Sequence, residues 1–90
     1  MATTVYELVT CCFGASSRRL YATEAEANDA AAAWLNPHLQ AEGYMTRASA
    51  KTWGFWQDRL RGRLASRGMQ FFPRPPSAFV TPRDVLGGTT

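Results

Sequence analysis

Trp53, Trp56, Leu60 and Leu64 stand at spacings of three, four and four, and no other feature of this chain restricts its fold as much. At about 3.6 residues per turn, those spacings put four large apolar side chains in one stripe along one side of a helix. The predicted helix starts at Ser49 or Thr52, runs to about Arg67 and stops at Gly68. A striped helix must bury that face against another layer of structure. Gly54 and Gly62 weaken it by about 1 kcal/mol each relative to Ala, and would tolerate close approach of a neighbouring backbone.

The first half of the chain offers the covering layer. Val5 to Phe13 is rich in β-branched and aromatic residues, with Glu7 its only charge. As a strand it carries Tyr6, Leu8, Thr10 and Cys12 on one face, and Val5, Glu7, Val9, Cys11 and Phe13 on the other. Gly14 to Ser17 is predicted as a turn, and Arg18 to Ala22 as the returning strand of a β-hairpin. Thr23 with Glu26 three residues on is the capping-box pattern that opens a helix. Glu24, Glu26 and Asp29 suit the positive end of its dipole. Ala30 to Ala33 has the highest helix propensity available. Pro37, costing about 3 kcal/mol inside a helix, predicts an end near Leu35. Asn36 would then cap one further turn, with Pro37 at its first position and Gly43 as its stop.

Tyr44 to Ser49 reads as a short strand or a loop. Met69 to Phe72 is expected to be a last short strand, ended by Pro73, Pro75 and Pro76. Thr81-Pro82-Arg83-Asp84 suggests a single helical turn capped by Thr81, and Gly87 to Thr90 should fray. The Pro- and Gly-containing segment 73–90 is therefore expected to be partly extended. The order β-β-α-(α)-α-β implies an α+β fold in one domain. A small antiparallel sheet, made of the N-terminal β-hairpin plus a C-terminal strand, packs against two main helices.

Composition excludes several classes. With 46% apolar and 19% charged residues, the chain is too apolar for a disordered tail. Cys11 and Cys12 are adjacent, so on a strand they face opposite ways and cannot easily bridge each other. Sparse cysteine suits a reducing cytoplasm. Met1 to Val9 has no basic-then-apolar pattern of a secretory leader, and no apolar run approaches the ~20 residues of a membrane span. Phosphate-cradling glycine loops are absent, and one His with two adjacent Cys is no metal-ligand set. No local signature joins Cys11 or Cys12 to His38 as nucleophile and base. The expectation is a protein without catalytic residues, metal or small-molecule cofactor.

Charge points to a surface instead. Residues 1–45 carry five acidic against two basic side chains, a net of −3, while residues 46–90 carry eight basic against two acidic, a net of +6. Nine of the ten basic residues are Arg, which favours planar, bidentate and stacked contacts. Arg59, Arg63 and Arg67 stand at i, i+4 and i+8, one row beside Trp56 at a margin of the apolar stripe. Arg61 lies on the other margin, and Phe55 points away from the stripe among polar residues. These five residues form a candidate partner-binding surface for an acidic protein patch or a phosphate backbone. The internal alternative pairs the arginines with Glu24, Glu26 and Asp29 of the first helix. Phe71-Phe72-Pro73-Arg74-Pro75-Pro76 is a second candidate recognition segment.

The hairpin followed by Thr23-Glu24-Ala25-Glu26-Ala27 opening an Ala-rich helix resembles, in size and layout, small phage-encoded accessory proteins. Some of these are inhibitors of bacterial defence complexes, the anti-CRISPR type. The resemblance implies stoichiometric binding to a larger host protein or ribonucleoprotein complex by occlusion of a surface. The basic charge departs from the acidic DNA-mimic variety, so a protein subunit is the implied target. Direct nucleic-acid binding by the arginine row is the alternative.

Overall fold

The computed structural model describes residues 2–12, 15–66 and 76–86. Strands β1 (Ala2–Cys12) and β2 (Ala15–Tyr21) precede helices α1 (Glu24–Ala41) and α2 (Trp53–Ser66), and strand β3 (Ser77–Leu86) closes the order. The sheet is antiparallel with β1 in the middle, in the order β2-β1-β3. This is an α+β fold with a three-stranded sheet and two helices.

Register assigns the two faces. Leu8 pairs with Arg19 and Val80, and Thr10 with Ser17 and Ala78, so these share a face. Leu8 and Ala78 pack with Ala31 of α1, which identifies that face as the helix side. A second cluster joins α1 to α2 through Ala32, Leu35, Leu39, Ala48, Leu60 and Leu64. Trp34 and Trp53 pack against both clusters and tie them together. Of the predicted stripe, Leu60 and Leu64 are buried, while Trp53 and Trp56 are partly buried against the core.

Helix α1 starts as its sequence demands. Thr23 is the N-cap: its Oγ1 accepts from the Glu26 backbone N–H at 3.2 Å. The same hydroxyl donates to the Glu26 carboxylate at 3.0 Å. The end differs from expectation, because α1 runs through Pro37 to Ala41. Proline denies a hydrogen bond to the Ala33 carbonyl, but Ala33 and Pro37 are both exposed, so water can serve that carbonyl. Buried Leu35 and Leu39 anchor the helix on either side of the ring. Asn36 is no cap; it is buried and committed to the loop. The helix closes with Gly43 at φ 87°, where Gly43 N–H donates to Gln40 O at 3.0 Å and Tyr44 N–H to Leu39 O at 3.0 Å. Those two bonds are the Schellman motif.

Other boundaries shift for identifiable reasons. Ala15 to Ser17 belong to β2 and not to a turn, with Ser17 Oγ and Thr10 Oγ1 2.7 Å apart across the ladder. Residues 44–49 form a loop. It is fastened at its end by Ser49 N–H donating to Thr52 Oγ1 at 2.9 Å and Trp53 N–H to Ser49 O at 2.9 Å. Gly54 and Gly62 face open space, so neither serves a close backbone approach. Thr81 to Asp84 form no helical turn. They lie inside β3, opposite Thr4 to Glu7. The expected strand over Met69 to Phe72, the Phe71-to-Pro75 part of the proline segment, and Gly87 to Thr90 lie outside the described residues.

Two buried amides fasten the layers. Asn36 donates from Nδ2 to Ala48 O at 3.2 Å and accepts from Ala48 N–H at Oδ1 at 2.6 Å. Gln57 repeats the arrangement on β3: Nε2 to Ala78 O at 3.3 Å, and Ala78 N–H to Oε1 at 2.6 Å. Each side chain satisfies both backbone groups of one buried alanine, as buried polar groups require. Among the described residues, no buried side-chain nitrogen or oxygen lacks a partner.

Candidate partner interface

Helix α2 turns its Gln57, Leu60 and Leu64 inward, which leaves Phe55, Arg59, Arg61 and Arg63 exposed. Phe55 is 58% exposed, an uncommon position for so large a ring. The Arg59 guanidinium carbon sits 5.5 Å from the Phe55 ring centroid, and that of Arg63 sits 5.4 Å from the Tyr44 ring. Both lie within cation–π range. Trp56 links the two pairs edge-on, with ring centroids 5.2 Å from Phe55 and 6.0 Å from Tyr44. The surface is thus three connected aromatic rings with two guanidiniums laid on the outer pair.

The arginines differ in what holds them. Arg63 makes an ion pair with Glu42 at 3.5 Å. Arg59 and Arg61 make no ion pair among the described residues. The expected internal pairing with Glu24, Glu26 and Asp29 is not what Arg63 adopts; its carboxylate comes from the end of α1. Arg67 lies outside the described residues. Phe55, Arg59 and Arg63 are therefore brought together, and Arg61 is exposed on the same helix. Tyr44 is the component that sequence reasoning missed. Its signal was its place just after Gly43, where the residue following a Schellman glycine commonly packs back on the helix.

The remaining chemistry-bearing groups stay apart. Cys11 and Cys12 are free thiols, and their register puts them on opposite faces of the sheet. His38 packs against Trp34, ring centroids 4.8 Å apart, and burial lowers its pKa below the usual imidazole value. Among the described residues, no group of three or more His, Cys, Asp or Glu side chains could hold a metal ion. No helix there is long and apolar enough to cross a membrane. No protein-family model matches the chain, and neither the curated proteins nor the solved structures contain a match.

Proposed function

We propose that this chain is a non-enzymatic protein-binding module that engages a larger host protein or ribonucleoprotein complex through Phe55, Arg59, Arg61 and Arg63 of α2. The observation that carries this reading is the exposed Phe55 with Arg59, which has no ion pair among the described residues, laid across it. A ring left in water and a guanidinium without a carboxylate among the described residues are both poorly used in the isolated chain. Aromatic residues and Arg are the side chains that supply most interface energy when a partner covers them. The layout extends the reading to stoichiometric inhibition of a nucleic-acid-targeting complex of the CRISPR type, acting in the cytoplasm.

Affinity capture from host lysate, with and without nuclease, tests it. Phe55→Ala with Arg59→Glu removes the ring and adds repulsion toward an acidic patch. Neither change touches the buried side of α2, so the unfolding midpoint should hold while the captured complex is lost. Capture at equal yield by the double variant refutes the reading. Capture that vanishes with nuclease and falls steeply with salt, whatever sequence is offered, identifies a phosphate backbone as the ligand instead.

A further inference from the structure

The two edges of the sheet are closed unequally. On β3, Gln57 takes both free backbone groups of Ala78. Backbone groups alternate along an antiparallel strand, so Val80, Pro82 and Asp84 also turn theirs away from β1. Pro82 has no N–H to offer there, which blunts the edge without removing a ladder bond. Among the described residues, nothing comparable guards β2. Since Ala78 turns its backbone outward, its cross-strand partner Thr10 must turn its own toward Ser17. Ser16, Arg18 and Leu20 then present N–H and C=O groups that pair with no described residue along the outer edge of β2, where every residue from Ala15 to Leu20 is exposed.

Beneath this strand, between it and α1, lies a cleft of about 250 Å³ lined by Leu8, Ala30, Tyr21 and Trp34 with Arg19 among the polar groups. Arg18 and Arg19 are neighbours and so project from opposite faces of the sheet. Arg18 shares Glu7 with Arg83. Arg19 makes no ion pair among the described residues.

We propose that β2 is a docking edge for an acidic, extended segment of another protein. That segment adds a strand beside β2, bonds Ser16, Arg18 and Leu20 through its backbone, and seats one apolar side chain in the cleft. Its carboxylates flank Arg18 and Arg19. A second copy of this chain is the wrong occupant, because pairing two β2 strands would crowd four arginines into a seven-residue ladder. A phosphate backbone supplies neither a strand edge nor the apolar side chain. Strand addition takes affinity from main-chain bonds and specificity from alternate side chains, and this edge offers both. The proposal does not rest on the α2 surface.

The test uses the full chain, ¹⁵N-labelled, titrated with a capped Glu-Glu-Glu-Phe-Glu-Glu-Glu peptide, in which Phe and two of the Glu side chains face the cleft and Arg19 while the other Glu side chains face Arg18. The amides of Ser16, Arg18 and Leu20 and the Trp34 indole should shift, and the counterpart with Lys for Glu should leave them in place. Leu20→Pro deletes an edge donor without breaking a bond to β1 and should abolish the shifts, whereas Leu20→Ala keeps them. Arg19→Glu, at an exposed residue without an ion pair among the described residues, gives an independent check and should weaken binding about tenfold or more. The proposal fails if the Lys peptide binds equally, if a folded Leu20→Pro binds like the parent, or if Arg19→Glu changes nothing. It also fails if single-stranded oligothymidine moves these amides and the acidic peptide does not, or if the chain dimerises through β2.

Discussion

The helix side of the sheet and its outer side bury polar groups by opposite means. On the helix side the agents are neutral amides: Asn36 and Gln57 each hold both backbone groups of one alanine. On the outer side the agent is a charge. Glu7 is only 6% exposed although neither α1 nor α2 lies on its face of the sheet. Arg83 lies 2.9 Å and Arg18 3.4 Å from its carboxylate, and their long side chains lie over it while remaining largely in water themselves. The amide arrangement desolvates no charge, and it fixes one residue against one backbone site. The ionic arrangement needs countercharge, because an unpaired buried carboxylate is costly. It keeps that cost down by leaving the arginines wet. The helix side is thus specified by position and the outer side by charge.

Apolar truncation should give the largest contrast. Leu60 is 1% exposed in the α1–α2 cluster, so Leu60→Ala should destabilise by about 2–5 kcal/mol in urea titration. Phe79, on the outer face opposite Val9, is 53% exposed. Phe79→Ala should cost less than about 1 kcal/mol, as exposed substitutions do. Equal losses would mean that the outer face packs against something in solution, and the contrast would break there.

The next effect separates amide from charge. Gln57→Ala orphans the N–H and C=O of buried Ala78, and at about 1–3 kcal/mol for each of the two unsatisfied groups the expected loss is about 2–6 kcal/mol. Glu7→Gln removes a charge whose partners are mostly hydrated, so about 1–2 kcal/mol is expected after discounting for screening. Salt is the sharper reading. Added salt should shrink the Glu7→Gln effect and leave the Gln57→Ala effect unchanged. The same salt response from both variants would remove the distinction.

These residues also mark where the sequence was legible. The Trp53, Trp56, Leu60 and Leu64 stripe and the Thr23–Glu26 cap could be read because an apolar period and a capping pattern are local signals. Gln57 and Asn36 were not legible as core residues because an apolar stripe leaves out its polar members. Yet Trp53, Gln57, Leu60 and Leu64 step by four, three and four, and Asn36 stands between Ala32 and Leu39 at four and three. A polar residue at a stripe position signals a buried amide with a partner elsewhere in the chain. Pro37 and Pro82 misled for a related reason. The cost of proline depends on whether the lost hydrogen bond faces water or a free edge, and only tertiary structure decides that. At the candidate interface, Phe55 and the arginines were legible as a helix face. Tyr44 was not, because it reaches Arg63 across the loop that follows α1.

The smallest effect sharpens the contrast by pH. On the helix side, the ring of His38 is partly buried against Trp34, and loss of hydration lowers its pKa in the fold. Its place in the last turn of α1 favours the cation, so desolvation outweighs the helix dipole. A lowered folded pKa means that the unfolded chain binds more protons in the window between that value and the ordinary imidazole pKa of about 6.5. Stability therefore rises with pH through the window. The contribution is fully present above about pH 6.5 and is lost as pH falls through the folded pKa. Replacing His38 with Gln should flatten the unfolding midpoint between neutral and mildly acid pH relative to the parent chain. If the parent and His38→Gln lose stability in parallel over that range, the acid sensitivity belongs to other groups, and the helix side is indifferent to pH as well as to salt.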